Sequence, residues 1–166
     1  TLSRAERGKL KVEDESINVH QLVEDLAENY RPDAEKKSLE IKINLDPNLT
    51  LLQSSKLYVR EILQNFITNA IKYTEKGYVQ LSAKNHQNGI LFTVQDTGIG
   101  IGKADQEKLF DKFFRSEDYR TRKNSGTGLG LYVTMKLAKL IHAEINVVSE
   151  LNKGSVFKIY IPNLKS

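Results

Sequence analysis

The 166-residue sequence contains no cysteine, so disulfide bonds and thiolate metal sites are excluded. No apolar run reaches the roughly 20 residues that a membrane-spanning helix needs, and the first residues lack the apolar core of a signal peptide. These absences predict a globular domain in a reducing compartment, and we expect a cytoplasmic location whether or not the parent protein is anchored in a membrane. The sequence does not begin with methionine, so we expect a piece of a longer protein.

A strongly basic surface is also missing, although the net charge is +4. Basic and acidic residues alternate along most of the chain, and no basic patch is interleaved with aromatic residues. The three histidines, at positions 20, 86 and 142, are scattered. We therefore expect no nucleic-acid partner and no metal site built from histidines.

Hydrophobic periodicity predicts the order helix, strand, helix, hairpin, long loop, helix, hairpin. This order favours a two-layer α/β sandwich, in which helices cover one face of a mixed sheet. The predicted elements are a helix over 19–37 with Asn18 as N-cap and a kink or end at Pro32, a strand over 39–45, a helix over 54–74, a hairpin ending at Asp96, a helix over about 128–142, and a hairpin over 144–162.

The helix predicted over 54–74 carries a polar stripe opposite its apolar side. At 100° per residue, Glu61, Asn65, Asn69 and Lys72 fall within an arc of about 80°. Amide oxygens suit Mg²⁺, and a lysine ammonium suits phosphate oxygens. Taken alone, however, a stripe of this kind favours the interpretation as a solvated helix face.

Glycine-rich segments stand at both ends of the long loop. "DTGIGIG" (96–102) follows a strand, and "GTGLGL" (126–131) opens a helix. Glycines let the backbone approach a ligand, a carboxylate such as that of Asp96 can accept an N–H from a base, and a helix N-terminus favours phosphate. Neither segment matches G-x-G-x-x-G or G-x-x-x-x-G-K-[ST], and a tight turn with a solvated Asp96 is the alternative at the first.

Four motifs in a fixed order complete the pattern. "QNFITNAIKYT", "DTGIGI", "LFDKFFR" and "GTGLGL" resemble the N box, first glycine box, F box and second glycine box of sensor histidine kinases, within the superfamily that also contains gyrase, chaperones and mismatch-repair ATPases. The resemblance covers essentially the whole chain. It implies the Bergerat ATP-binding fold, with a mixed, mostly antiparallel sheet covered on one face by three helices. Residues 16–166 would be the catalytic domain, and residues 1–15 the tail of a dimerisation helix and its linker.

The resemblance further implies a site for ATP and Mg²⁺. Asn65 would coordinate the metal, Asp96 would accept the adenine amino group, and residues 101–127 would form a lid over the triphosphate. The implied catalytic residues are Asn65, Lys72 and Arg115, with Arg120 as a second lid candidate. The implied nucleotide-binding residues are Asn65, Asn69, Lys72, Tyr73, Asp96, Gly98, Gly100, Ile101, Thr127, Gly128, Leu129 and Gly130.

The implied reaction is transfer of the γ-phosphoryl group of ATP to a histidine. In this family the acceptor histidine is followed by an acidic residue and, shortly after, a proline, and none of the three histidines fits. The implied partners are therefore the histidine-bearing dimerisation domain of the parent kinase and a response-regulator receiver domain downstream. We expect the isolated chain to be monomeric and to bind ATP without phosphorylating itself.

One departure, one residue role and two alternatives stay open at this point. Ser55 stands where many relatives carry a structural aspartate, and this change is expected to be tolerated. Glu61 stands where hydrolytic relatives keep a water-activating carboxylate, and its role here is open. One alternative is a protein-serine kinase of the anti-sigma-factor type, which shares the ATP site but usually lacks the F-box lid. The other is a degenerate nucleotide-sensing module without chemistry.

Overall fold

The computed structural model describes residues 12–111 and 130–164, and the elements below lie within these ranges. Strands and helices are interspersed along the chain. In order they are β1 (Glu15–Ile17), α1 (Val19–Glu35), β2 (Glu40–Leu45), β3 (Leu52–Ser54), α2 (Lys56–Lys72), β4 (Tyr78–His86), β5 (Gly89–Asp96), the short α3 (Lys103–Gln106), α4 (Gly130–Leu140), β6 (Glu144–Glu150) and β7 (Gly154–Pro162).

The main sheet has five strands in the order β2-β4-β5-β7-β6. Strand β2 runs parallel to β4, whereas the other three pairs are antiparallel. Both predicted hairpins are present, β4–β5 and β6–β7, and the first ends at Asp96 as expected. The prediction of a mixed, mostly antiparallel sheet is confirmed.

A second, two-stranded sheet was not predicted. Strand β1 pairs antiparallel with β3, with Glu15 opposite Ser54 and Ile17 opposite Leu52. The end of the chain joins this small sheet, because the N–H of Leu164 donates to the carbonyl of Gln53 at 2.7 Å.

The helices pack against one face of the main sheet. Along β5, β7 and the first six residues of β4, every second side chain is buried and most of the intervening ones are more exposed. The ring of Phe66 on α2 contacts that of Phe157 on β7, with centroids 5.2 Å apart. The apolar side of α2 is buried as the sequence predicts, with Val59, Ile62, Leu63, Phe66 and Ala70 in the core.

Local capping explains where the two long helices begin. The side chain of Asn18 accepts the N–H of Gln21 at 3.0 Å, which confirms Asn18 as the N-cap of α1. The buried hydroxyl of Ser55 accepts the N–H of Tyr58 at 3.2 Å and caps α2. A serine can therefore do the capping work of an aspartate at this position.

Proline affects α1 less than expected. The helix continues past Pro32 to Glu35, and the N–H of Lys36 still donates to the carbonyl of Pro32 at 3.1 Å. Pro32 removes one N–H from the helical ladder but does not end the helix. No helix in the described part of the chain is long and apolar enough to cross a membrane.

Candidate functional site

Asp96 ends β5 with a carboxylate that is only 8% exposed. Its Oδ1 accepts the N–H of Gly98 at 2.9 Å and the N–H of Ser155 at 3.2 Å. Burial raises the pKa of Asp96, and the two N–H groups act in the opposite direction. Within the described ranges both hydrogen bonds go to Oδ1, so Oδ2 keeps its capacity to accept an N–H from a ligand.

At two positions of the loop after Asp96, glycine is the only residue that fits. A Cβ on Gly98 would come within 2.5 Å of the carbonyl oxygen of Tyr73 and 2.9 Å of Asp96 Oδ1. Gly100 has a φ of +73°, and a Cβ there would overlap the carbonyl of Glu150. These two glycines let the loop pass directly between the end of α2 and the turn after β6.

Two hydrogen bonds hold this loop. The N–H of Ile99 donates to the carbonyl of Tyr73, at the end of α2, at 3.2 Å. The N–H of Ile101 donates to Ser149 Oγ, on β6, at 2.8 Å. The structure therefore places Tyr73 beside Asp96 and Gly98. Together they form one end of the candidate site.

The polar stripe of α2 leads from this end to the start of α4. Asn65 Nδ2 donates to Thr134 Oγ1 at 2.8 Å and lies 3.4 Å from the carbonyl oxygen of Gly130. A Cβ on Gly130 would meet no atom of the described residues within 4 Å. Along the stripe, Glu61 is exposed, and Asn65, Asn69 and Lys72 are half-buried.

The two ends of the site are separated by roughly two turns of α2, since Asn65 and Tyr73 are eight residues apart in the sequence. An elongated ligand can therefore contact Asp96 with one end and the Asn65 stripe with the other. Arg115, Thr127, Gly128 and Leu129, together with Arg120 and most of the predicted lid, lie outside the described residues. Their predicted roles stay predictions.

A metal ion at this site would take most of its coordinating oxygen atoms from the bound substrate and from water, not from the protein. Among the described residues no group of three or more His, Cys, Asp or Glu side chains could hold a metal ion. Asn65 offers one neutral carbonyl oxygen. That donor set fits Mg²⁺, which keeps several waters and takes few protein ligands together with substrate phosphates.

Lys37 contributes to the site from outside the predicted motifs. Its Nζ donates to the carbonyls of Ile71 and Lys72, at 2.7 Å and 3.1 Å. These carbonyls belong to the last turn of α2, where C=O groups lack the N–H partner four residues ahead that the helix interior supplies. Burial lowers the pKa of Lys37, and the nearby Glu75 raises it. Periodicity gave no signal for this contact, because Lys37 follows a different helix.

Replacing Lys37 with methionine is expected to lower the free energy of unfolding by about 0.5–1.5 kcal/mol, because two part-buried carbonyls lose a charged donor while the aliphatic stem is kept. Urea unfolding followed by circular dichroism measures the change. Lys36→Met is the matched control, since Lys36 is adjacent and exposed. Equal effects of the two variants would contradict the capping role.

The buried carboxylate of Asp96 predicts a pH dependence of stability. The pKa of Asp96 is raised in the folded protein. At pH values between the ordinary aspartate pKa and this raised pKa, the folded state therefore binds a proton that the unfolded state has released. The contribution of Asp96 to the free energy of unfolding therefore falls as pH rises from the ordinary aspartate pKa through the raised value. We expect Asp96→Asn to be more stable than the parent at pH 7, and the difference to shrink in acid. A pH series of urea midpoints tests this, and an unchanged difference would refute it.

Comparison with known proteins identifies the class to which this arrangement belongs. Residues 54–165 match the family model described as histidine kinase-, DNA gyrase B-, and HSP90-like ATPase. The chain is 32% identical to the autoinducer 2 sensor kinase/phosphatase LuxQ of Vibrio vulnificus, over 96% of this chain and 20% of the relative. It is 30% identical to the sensor histidine kinase RcsC of Escherichia coli K12, over 96% of this chain and 17% of the relative.

A solved structure agrees over nearly the whole chain. Full-length ShkA, crystallised in complex with AMPPNP, superposes with a TM-score of 0.87 at 27% identity, over 99% of this chain and 34% of ShkA. The chain therefore belongs to the family of histidine kinase-, DNA gyrase B- and HSP90-like ATPases. Its resemblance to the ATP-binding catalytic domain of sensor histidine kinases is confirmed, and it spans about a fifth of the length of LuxQ and RcsC.

Proposed function

We propose that the chain binds ATP with Mg²⁺ and transfers the γ-phosphoryl group to a histidine of its parent kinase. One observation carries the proposal. Asp96 is buried and its Oδ1 accepts two backbone N–H groups, and the loop that follows it has no room for a Cβ at Gly98 or Gly100. The relatives are named sensor kinases, and ShkA was crystallised with an ATP analogue, which supports the same ligand class here.

The base would lie at the Asp96 end of the site. Asp96 Oδ2 would accept the exocyclic amino group of adenine, and Gly98 and Gly100 would let the ring approach the backbone. Guanine carries a carbonyl oxygen where adenine carries this amino group, so a buried acceptor favours ATP over GTP. Tyr73 and Ile101 would line the nucleotide beside the base.

The phosphates would lie along the polar stripe of α2. Asn69 and Lys72 would contact phosphate oxygens, and Arg115, Thr127, Gly128, Leu129 and Gly130 would complete the binding from the lid side. Asn65 would hold Mg²⁺, which supplies charge neutralisation at the phosphates when it is bound.

Phosphoryl transfer asks the protein mainly for alignment and charge neutralisation. A bond forms between an imidazole nitrogen and the γ-phosphorus while the bond from that phosphorus to the ADP oxygen breaks, and ADP leaves. A neutral imidazole is already present near pH 7, so Glu61 is not required as a base for this step.

The acceptor histidine would come from the parent protein. No histidine of this chain lies in the acceptor motif, and the chain spans about a fifth of its curated relatives. The proposed partners are therefore the dimerisation domain that carries the acceptor and, downstream, a receiver domain. Residues 1–15 as a linker, residues 16–166 as the catalytic domain, a monomeric isolated chain and a cytoplasmic location stay predictions.

The first test is calorimetric titration of the chain with AMP-PNP, with and without Mg²⁺. We expect binding that becomes stronger with Mg²⁺.

The second test adds [γ-³²P]ATP and a histidine-bearing helical domain of the parent kinase. Acid-labile, base-stable label on that domain supports histidine transfer, acid-stable label on serine supports the serine-kinase alternative, and binding without transfer supports the nucleotide-sensing module.

A further inference from the structure

A buried threonine outside the predicted site contacts the proposed metal ligand. Thr134 lies on α4, and its side chain has no exposed surface. Its Oγ1 accepts a hydrogen bond from Asn65 Nδ2 at 2.8 Å. The same hydroxyl donates to the carbonyl of Gly130, one helical turn earlier, at 2.9 Å. Thr134 therefore connects the N-box helix to the helix that begins in the second glycine box.

The count of hydrogens at this contact determines which way the amide of Asn65 faces. A threonine hydroxyl carries one hydrogen, and here that hydrogen goes to the carbonyl of Gly130. Toward Asn65 the hydroxyl presents only lone pairs. The amide must then direct its NH₂ group at Thr134, and the Gly130 carbonyl, 3.4 Å from the same nitrogen, favours the same orientation. The carbonyl Oδ1 of Asn65 is left facing away from these acceptors.

We propose that Thr134 is a positioning residue that holds Asn65 with its Oδ1 available to Mg²⁺. An amide rotated by 180° would present its NH₂ group, a donor, to the cation. The partner of a metal ligand commonly sets the orientation of that ligand, and the loss of such a partner typically lowers metal affinity about 10–100-fold. The metal part of this inference rests on the proposed function, whereas the orientation of the amide does not.

The test uses Thr134→Val, which keeps the shape and removes the hydroxyl, with Thr134→Ala as a second variant if valine disturbs the packing. Thr134→Ser keeps the hydroxyl, and Thr93→Val removes a hydroxyl from β5 that makes no described hydrogen bond. Mg²⁺ is titrated into each protein saturated with AMP-PNP. We expect Mg²⁺ affinity to fall about 10–100-fold in Thr134→Val and to be kept in Thr134→Ser and Thr93→Val, with Mg²⁺-free AMP-PNP affinity unchanged.

A second readout needs no nucleotide. The side-chain NH₂ resonances of Asn65, assigned by their loss in Asn65→Asp, are expected to shift in nucleotide-free Thr134→Val and to stay in place in Thr93→Val. Unchanged Mg²⁺ affinity in Thr134→Val would overturn the positioning role. A parent chain that binds no AMP-PNP would overturn the proposed function instead. In that case the resonances still test the proposed orientation of the Asn65 amide. Unshifted Asn65 resonances in Thr134→Val would contradict that orientation, and shifted resonances would support it.

Discussion

Replacing Asp96 with asparagine is expected to weaken the binding of ATP analogues by about 100-fold or more while the domain stays folded. The asparagine Oδ1 can still accept the N–H groups of Gly98 and Ser155. Its NH₂ group then stands where Oδ2 was, so two donors face each other when adenine binds. Calorimetric titration with AMP-PNP measures the loss, and thermal unfolding verifies the fold.

A matched control for this substitution is available elsewhere in the chain. Asp46 Oδ1 accepts the N–H of Asn48 at 2.9 Å, the same contact two residues ahead that Asp96 makes with Gly98. Asp46→Asn is expected to leave AMP-PNP affinity unchanged. If Asp96→Asn also kept its affinity, the base would have to bind elsewhere and the assignment of the adenine end would be wrong.

The second large effect concerns the core beneath the site. Phe66→Ala is expected to lower the free energy of unfolding by about 3–5 kcal/mol, because the ring is fully buried between α2 and β7 and its removal leaves a cavity. Urea unfolding measures the change. Leu57→Ala is the control on the same helix, since Leu57 is 67% exposed, and its cost should stay within about 0.5 kcal/mol. Similar costs for both would mean that α2 is not anchored through Phe66.

The sequence predicts the regular elements well because their signals are local. The apolar side of α2, the N-cap at Asn18 and both hairpins follow from residue spacing, and the structure has all of them. The helix ends differ by a few residues, since α1 ends at Glu35 and α2 begins at Lys56. The described part of the last helix begins at Gly130, whereas the prediction starts near residue 128.

What the sequence misses depends on contacts between distant segments. The strands β1 and β3 have three residues each, which is too short for an alternating pattern to be recognised. They also pair residues that are distant in the sequence, such as Ser16 and Gln53. Lys37 contacts α2 from the turn after α1, and Thr134 contacts it from α4, so no motif includes their contacts. Asp96 and its glycines were found because the carboxylate and the tight loop adjoin in sequence. The ligands assigned to them stay proposals.

The small β1–β3 sheet has a mechanical consequence. A chain that enters at Glu15 and one that leaves at Leu164 both hydrogen-bond to β3, so both connections meet at one corner of the domain. Because Leu164 lies just beyond the end of β7, tension applied between those connections would first load the hydrogen bonds at β3 and only then pull on β7 of the five-stranded sheet.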